Sequence, residues 1–260
     1  MSLKVKDLFE FSGKTALVTG GSTGIGLMIA SVLVSNGVRT TIVGRKQPAL
    51  DAALATLRAL GEAEVDAIQA DLSRMDEVER LAETYGQRQD KLNILVNNAG
   101  TSWGAPIEEF PEAAWDRVLN LNLKGVFFLT QKLIPLLSAA ATDEDWGRVI
   151  NLSSVGSRIA PLGASPAYGA SKAGVEQLTR IMARELGRFR ITCNAISPGW
   201  FPTRMNAVLG AAASDAWEAN TPLGRLGTAA DIGGLALFFA SRAGIYVNGQ
   251  TVEIDGGQTL

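Results

Sequence analysis

Hydrophobic and polar positions along the chain follow two patterns in turn. Short runs rich in β-branched residues, several of them apolar on both faces, are typical of strands in a parallel sheet covered by helices. Longer segments between them have the periodicity of helices. Strands are predicted over residues 14–19, 38–43, 63–70, 92–97, 147–153, 190–196 and 250–254, and helices over 24–36, 47–60, 75–88, 112–138, 166–187 and 228–241. This alternation predicts an α/β fold, a doubly wound and mostly parallel seven-stranded sheet with helices on both faces and right-handed crossovers.

The sequence shows no boundary between domains. The chain contains no Pro/Ser-rich linker, repeat or low-complexity tract, so a single domain over residues 1–260 is predicted. Two stretches depart from the alternation, the polar SAAATDEDWG at 138–147 and a segment rich in Gly, Pro and Trp at about 199–227. Long irregular segments in compact domains are usually functional or mobile, and the second is predicted to form an irregular substrate loop.

Composition narrows the possible partners. Only 19% of the residues are charged and the net charge is −2, so no nucleic-acid partner is expected. The single cysteine, Cys193, cannot form an internal disulfide, and its mid-strand position indicates a buried apolar residue. No secretory signal or bilayer-length apolar run is present, so the expectation is a soluble, cytoplasmic protein without a membrane partner. No metal site is predicted.

The chain has no histidine, which limits its possible proton chemistry. Histidine is the only side chain whose unperturbed pKa lies between pH 5 and 8. Acid–base catalysis would therefore depend on Tyr, Lys, Cys or a carboxylate.

A glycine-rich turn, TGGSTGIG at 19–26, follows the first strand. Its glycines would let the backbone approach a pyrophosphate at the N-terminus of the next helix, as in dinucleotide-binding Rossmann folds. The spacing is G-x-x-x-G-x-G and not G-x-G-x-x-G, and a turn without any ligand is the alternative. The predicted cofactor contacts are Gly20, Ser22, Thr23, Gly24, Ile25 and Gly26.

The end of the second strand, IVGRK, indicates which dinucleotide binds. NAD enzymes usually place a carboxylate here to hold the ribose 2′-hydroxyl. In this chain Gly44 stands at that place, followed by Arg45 and Lys46, and a guanidinium can hold a 2′-phosphate through two charge-assisted hydrogen bonds. The prediction is NADP(H), and the alternative is an ordinary solvated basic pair.

A tyrosine and a lysine in YGASK, Tyr168 and Lys172, lie four residues apart on one face of a predicted helix. An isolated pair of this kind would be a surface feature. Here it follows, in order, TGGSTGIG, NNAG at 97–100, Asn122 in LNLKG and SS at 153–154, and it precedes PGWFPT at 198–203. With these motifs the chain resembles the short-chain dehydrogenase/reductase family, in its main single-domain type, from Lys14 to the IDGG at 254–257.

The resemblance implies a catalytic set. Tyr168 would be the general acid/base, and Lys172 would bind the nicotinamide ribose and lower the pKa of the tyrosine. Ser154 would polarise the substrate carbonyl, and Asn122 would hold a water relay to the lysine.

The serine position departs from the family pattern. The family's serine usually lies thirteen residues before the tyrosine, where this chain has Val155, so a one-residue insertion before Tyr168 is expected. Ser153 is the weaker choice than Ser154, because neighbouring residues along a strand point to opposite faces.

The resemblance also implies further cofactor contacts. Positions on the adenine and ribose side are matched by Asp71, Leu72, Asn97, Asn98, Ala99 and Gly100, and positions on the carboxamide side by Pro198, Gly199 and Thr203. For the two asparagines, a polar turn after the fourth strand is the alternative.

Three aromatic residues that follow cofactor motifs, Trp103, Trp200 and Phe201, are predicted to line the substrate cleft, with core or interface packing as the alternative. An apolar cleft would suit an acyl, aryl or alicyclic ketone. NNAGTSWG and FPTRM, together with the polar loop before the fifth strand, are similar to the rhamnolipid-associated β-ketoacyl reductases.

The predicted function is NADPH-dependent reduction of a ketone, with a 3-oxoacyl thioester as one candidate substrate, to a secondary alcohol by hydride transfer. One alternative is an NAD-linked secondary alcohol or sugar dehydrogenase. Another is a non-catalytic NADP-binding regulator, and the presence of all four catalytic residues argues against it. The family resemblance implies a homotetramer, with residues 228–260 in one interface.

Overall fold

Seven parallel strands form one sheet in the order β3-β2-β1-β4-β5-β6-β7. The computed structural model describes residues 3–160, 165–203 and 211–260. The strands are β1 (Thr15–Thr19), β2 (Arg39–Gly44), β3 (Val65–Gln69), β4 (Ile94–Asn97), β5 (Gly147–Leu152), β6 (Ile191–Pro198) and β7 (Thr251–Ile254). The predicted fold class is confirmed, and the seven predicted strands agree with the observed ones to within two residues at each end.

Helices cover both faces of the sheet. They are α1 (Val5–Leu8), α2 (Gly24–Ser35), α3 (Gln47–Arg58), α4 (Met75–Arg88), α5 (Glu112–Leu119), α6 (Gly125–Ala139), α7 (Pro166–Leu186), α8 (Ala211–Ala219) and α9 (Ala229–Ala240). In the described ranges, no helix combines the length and the apolar character that a membrane crossing requires.

Two helical features differ from the sequence prediction. The single helix expected over 112–138 is divided by a π-helical turn at Asn120–Lys124, which separates α5 from α6. The segment 199–227, expected to be irregular, contains helix α8. Hydrophobic periodicity does not reveal the first feature, because a π turn inserts one residue without breaking the helix.

The core has two halves, one on each face of the sheet. Neighbouring residues of β1 point in opposite directions, so Val18 packs with Ile29 and Phe239 under α2 and α9, and Leu17 packs with Leu133 on the α4 and α6 side. Every residue of β1 and β5 is buried. The continuous apolar runs in the sequence are explained by this burial on both faces.

The polar stretch at 138–147 is tied to the amino ends of the central strands. Asp145 accepts from the Lys14 Nζ at 2.6 Å and from the Arg148 Nη2 at 2.7 Å. Burial lowers the pKa of both cations, and their contacts with Asp145 oppose this effect. The loop therefore places one carboxylate between two buried cations, at the end of the sheet opposite the glycine-rich turn.

The order of the strands creates a crevice. β1 lies between β2 and β4. From β1 the chain continues to β2 and β3 on one side of the sheet, and from β4 it continues to β5, β6 and β7 on the other side. In open α/β sheets, ligands bind at the carboxyl ends of the strands where the strand order reverses. The functional site is therefore expected at the ends of β1 and β4.

Candidate active site

A cavity of about 390 Å³ lies at the carboxyl ends of the strands. Its lining includes the following predicted site residues: Gly20, Ser22, Thr23, Gly24, Ile25, Arg45, Lys46, Leu72, Asn98, Ala99, Gly100, Tyr168, Lys172, Pro198 and Thr203. Residues from distant parts of the sequence, each at the end of a strand or the start of a helix, therefore meet at one site.

The glycine-rich turn has the backbone conformation that its sequence indicates. Gly20 and Gly24 have φ angles of 64° and 56°, in the left-handed region that favours glycine. A Cβ on Gly26 would lie 2.3 Å from the Asn98 Nδ2 and 2.4 Å from the Gly20 carbonyl oxygen. Asn98 also donates from its Nδ2 to the carbonyl oxygen of Thr19 at 2.9 Å. Close packing thus holds the turn against the end of β4.

The N-terminus of α2 opens onto the cavity with its first N–H groups available. Thr23, the N-cap residue, makes no side-chain capping hydrogen bond. Unpaired N–H groups and the positive end of the helix dipole together favour an anion such as a pyrophosphate. Thr203 lies close by, because a Cβ on Gly24 would be 3.3 Å from its Cγ2.

The end of β2 has the features expected for a 2′-phosphate site. A Cβ on Gly44 would lie 3.1 Å from the Ser22 Oγ, so the hydroxyl is placed beside the position that a carboxylate would occupy in an NAD enzyme. Arg45 and Lys46 are exposed, and neither side chain has a hydrogen bond or ion pair with another described residue. Two cations and a hydroxyl are therefore free to contact a dianion.

Two residues assigned to the adenine side have other contacts. The Asp71 Oδ1 accepts from the Ser73 N at 3.1 Å and from the Ser73 Oγ at 2.8 Å, and Asp71 is not among the described lining residues. Asn97 is buried and donates to the Asn151 Oδ1 at 2.9 Å. Asn97 therefore faces the interior, whereas its neighbour Asn98 faces the cavity.

The tyrosine and the lysine lie at the start of α7. The helix begins after Ser165, whose side chain accepts from the Tyr168 N–H, and Pro166 occupies its first turn. The Nζ of Lys172 donates to the carbonyl oxygen of Leu152 at 2.6 Å and lies 5.6 Å from the centroid of the Tyr168 ring. The helical spacing thus places both side chains at the end of β5.

Burial shifts the pKa of both groups. It lowers the pKa of Lys172 to about 8. It raises the pKa of Tyr168, and a hydrogen bond with the Ser154 side chain opposes this effect. The family resemblance implies a lysine that lowers the tyrosine pKa. In this structure burial raises the pKa of Tyr168 instead, and the Lys172 ammonium donates to the Leu152 carbonyl oxygen. At neutral pH Tyr168 is therefore a neutral phenol, the form that can donate a proton.

The two adjacent serines point in different directions. Ser154 has an extended backbone, its Oγ accepts from the Gly156 N at 3.2 Å, and it contacts the phenol. The Ser153 Oγ donates to the Glu176 Oε1 at 2.8 Å and to the Lys172 carbonyl oxygen at 3.3 Å. The structure thus places the hydroxyl of Ser154 beside the tyrosine and directs that of Ser153 towards α7.

Asn122 is buried in the π-helical turn, outside the described lining. Its Oδ1 accepts from the Thr101 N at 2.8 Å, and its Nδ2 donates to the Thr101 carbonyl oxygen at 2.9 Å and to the Ser171 Oγ at 3.0 Å. The side chain therefore links the NNAG loop to α7. π-helical turns are frequent at functional sites, and the turn is a feature that the sequence prediction missed.

The three aromatic residues assigned to the substrate are dispersed. Phe201 is only 2% exposed and packs in the core beneath Gly227, so its assignment to the cleft is wrong. Trp103 is 39% exposed and lies under the Arg117 guanidinium, 5.8 Å from its ring centroid. Trp200 stacks on Trp217 of α8, with ring centroids 3.8 Å apart. Gly199, whose N–H donates to the carbonyl oxygen of Ile254, lies outside the described lining.

The sequence prediction missed several residues that line the cavity. These are mostly apolar or small residues at the ends of strands or nearby: Val43, Ala49, Ala70, Leu121 and Leu152. Only their position after a predicted parallel strand could have indicated them.

Comparisons with known proteins identify the family of this chain. Residues 20–259 match the family described as enoyl-(acyl carrier protein) reductase. The chain is 43% identical to the rhamnolipids biosynthesis 3-oxoacyl-[acyl-carrier-protein] reductase of Pseudomonas aeruginosa, over 96% of this chain and 97% of that protein. The chain therefore belongs to the short-chain dehydrogenase/reductase family, and it is an oxidoreductase.

Two solved structures show the same similarity in three dimensions. The Pseudomonas aeruginosa RhlG/NADP active-site complex has a TM-score of 0.92 and 42% identity, covering 98% of this chain and 99% of that chain. A gluconate 5-dehydrogenase from Burkholderia cenocepacia J2315 in complex with NADP and tartrate has a TM-score of 0.89 and 34% identity, with the same coverage. The resemblance predicted from the motifs, including that to rhamnolipid-associated reductases, is confirmed.

Proposed function

We propose that this chain reduces a ketone to a secondary alcohol with NADPH, and that Tyr168 donates the proton. The single observation that carries the proposal is that Tyr168 and Lys172 line a cavity that begins at the glycine-rich turn, with the Ser154 hydroxyl hydrogen-bonded to the Tyr168 phenol. At neutral pH the Tyr168 phenol is neutral, which is the form that donates a proton when a ketone is reduced.

NADP(H), when bound, supplies or accepts the hydride. The N-terminus of α2 would hold its pyrophosphate, and Ser22, Arg45 and Lys46 would hold its 2′-phosphate. Lys172, buried and with a pKa near 8, would donate to the nicotinamide ribose. The residues present therefore fit NADP(H), since they provide an anion-binding helix end and unpaired cations.

Each catalytic side chain has a defined task. The Ser154 hydroxyl would donate to the substrate carbonyl oxygen and polarise the C=O bond. As the carbonyl carbon receives a hydride, the same oxygen takes the proton of the Tyr168 hydroxyl, and a secondary alcohol and a phenolate result. Asn122 would hold the NNAG loop against α7 through its hydrogen bonds to Thr101 and Ser171. We also propose that it holds the water relay to Lys172 that the family resemblance implies.

For the substrate we propose a 3-oxoacyl thioester or a related apolar ketone. The support comes from the relative named as a 3-oxoacyl-[acyl-carrier-protein] reductase and from the apolar residues Leu121 and Leu152 in the lining of the cavity. A sugar-type alcohol is the second candidate, because a similar structure is a gluconate 5-dehydrogenase with NADP and tartrate. Loss of NADPH absorbance with 3-oxoacyl thioesters, compared with oxidation of gluconate by NADP⁺, distinguishes the two.

Replacement of the catalytic oxygen tests the proposal directly. Tyr168→Phe keeps the ring, so NADPH affinity should stay within a few-fold, whereas turnover should fall about 10²–10⁴-fold. Ser154→Ala should reduce turnover more than Ser153→Ala does. A folded Tyr168→Phe protein with near-parental turnover would reject the catalytic assignment. NADPH binding without turnover of any ketone or alcohol would favour the regulator alternative.

We also propose a homotetramer that acts in the cytoplasm. Apolar side chains remain exposed at the C-terminal end, with Tyr246 100% and Leu260 108% exposed, and β7 is the last strand of the described sheet. The family resemblance and these surfaces support assembly, and the buried, unpaired Cys193 agrees with a reducing compartment. A monomer in multi-angle light scattering at micromolar concentration would exclude the tetramer.

A further inference from the structure

A buried carboxylate lies one helical turn beyond the catalytic lysine. Glu176 on α7 is 7% exposed and has no ion pair with any described residue. Its Oε1 accepts from the Ser153 Oγ at 2.8 Å and also from the Ser157 Oγ. Burying a carboxylate without an ion pair costs free energy unless hydrogen bonds compensate, and the two serine hydroxyls supply such bonds. Such a group is a candidate for a specific role.

The two serines are the ends of the turn that carries the catalytic serine. The segment from Ser153 to Ser157 is tight, because the Ser157 N–H donates to the Ser154 carbonyl oxygen at 2.9 Å and the Ser154 Oγ accepts from the Gly156 N. Glu176 therefore holds the turn on both sides of Ser154.

Helix α7, which carries Glu176, also carries the tyrosine and the lysine of the catalytic group. Tyr168, Lys172 and Glu176 are spaced by four residues on α7, and Tyr168 and Lys172 face the cavity. The Ser153 Oγ reaches both the Glu176 carboxylate and the Lys172 carbonyl oxygen. The contact between Glu176 and the serine turn thus joins the segment that carries Ser154 to the helix that carries Tyr168.

We propose that Glu176 is a positioning residue, which holds the hydroxyl of Ser154 against the phenol of Tyr168 by binding Ser153 and Ser157. This inference rests on the proposed function, since it concerns the geometry of the same catalytic group. Among the described residues no hydrogen bond joins Glu176 to the glycine-rich turn at 19–26, so its main effect is expected on proton donation and carbonyl polarisation.

The test uses four single variants of the full chain. Glu176→Ala removes the acceptor for both serines, Glu176→Gln keeps one carbonyl oxygen of similar position, and Ser157→Ala removes one of the two donors. Glu185→Ala is the matched control, because Glu185 is an exposed glutamate on the same helix. The turnover number, the KM for the ketone, the dissociation constant of NADPH and the melting temperature are measured for each.

Glu176→Ala should lower turnover about 10–100-fold, since an error of about 1 Å in catalytic geometry has an effect of this size. NADPH affinity should stay within about threefold. Glu176→Gln should restore most of the turnover, Ser157→Ala should give an intermediate loss, and Glu185→Ala should behave as the parent. Should Glu176→Ala fail to fold, the comparison of Ser157→Ala with the parent provides the same test on a smaller change.

A double-mutant cycle separates positioning from general stabilisation. If Glu176 acts through Ser154, adding Glu176→Ala to Ser154→Ala should reduce turnover by no more than about threefold further. Additive losses, or equal losses of turnover, NADPH affinity and melting temperature, would overturn the inference. If Tyr168→Phe is as active as the parent, the proposed function itself fails. If Tyr168→Phe is inactive and Glu176→Ala is fully active, only the positioning role of Glu176 fails.

Discussion

Replacing Gly44 with aspartate should reverse the cofactor preference from NADPH to NADH. The substitution puts a carboxylate at the end of β2, where NAD enzymes usually have one. A Cβ at this position would lie 3.1 Å from the Ser22 Oγ and 3.3 Å from the Leu50 Cδ2. Both contacts are the ends of side chains, and Gly44 is not among the glycines with positive φ. The backbone can therefore accept a side chain after shifts of a few tenths of an ångström.

The magnitude follows from the charges. At an effective dielectric constant near 20, two unit charges of the same sign repel by about 4 kcal/mol at 4 Å and about 2 kcal/mol at 8 Å. Gly44→Asp should therefore weaken NADPH binding by about 2–4 kcal/mol, or roughly 30- to 1,000-fold. A carboxylate that accepts from a ribose hydroxyl gains about 1.5–3 kcal/mol, so NADH binding should tighten by a factor of roughly ten or more.

Titration of the protein with NADPH and with NADH, followed by cofactor fluorescence, measures both dissociation constants. Gly44→Asn is the matched control, because it adds nearly the same volume without the charge. It should weaken both cofactors by a similar, small factor. If Gly44→Asn and Gly44→Asp weaken NADPH equally, or if Gly44→Asp still prefers NADPH, then charge at this position does not decide the choice and the reasoning is refuted.

Two further predictions concern buried charges. NADPH binding should weaken as pH rises through about 8, by up to tenfold per pH unit, because Lys172 is then losing its proton and with it the charge that would hold the ribose. A pH-independent dissociation constant between pH 7 and 9.5 would contradict this, and Lys172→Met should show such a flat profile. Asp145→Asn should lower the free energy of unfolding, measured in urea, by about 2–3 kcal/mol. The loss is large because the Lys14 and Arg148 side chains, only 10% and 1% exposed, lose their partner. It is somewhat less than the full effect of breaking a buried pair because Asp145 itself is 23% exposed. Asp143→Asn, at a side chain that is 87% exposed, is the control and should leave the unfolding curve unchanged.

The sequence predicted most of the cofactor site because local rules determine it. Glycine is the residue that readily adopts positive φ, so Gly20 and Gly24 indicate a turn of the kind observed. Strand ends that follow apolar runs meet at one edge of a parallel sheet, which brings Arg45 and Lys46 to the same cavity as Asn98. Tyr168 and Lys172 are four residues apart on a helix, which puts their side chains on one face, so the sequence also predicted that they lie together.

Predictions about orientation were less reliable. Trp200 and Phe201 are adjacent in sequence, yet one stacks on Trp217 and the other lies in the core. Asn97 and Asn98 are separated in the same way, one facing the interior and the other the cavity. The direction of a side chain in an irregular segment depends on which neighbours pack against it, and those neighbours come from distant parts of the chain.

The amino-acid sequence by itself determined the order of strands and helices, the sheet class, the family and the residue types that can carry the chemistry. Only the tertiary structure decided that Ser154 contacts the phenol, that burial lowers the pKa of Lys172 and raises that of Tyr168, and that Glu176 holds the serine turn. The physical reason is that periodicity and turn chemistry are local, whereas burial and hydrogen-bond partners depend on how α7 packs against the end of β5.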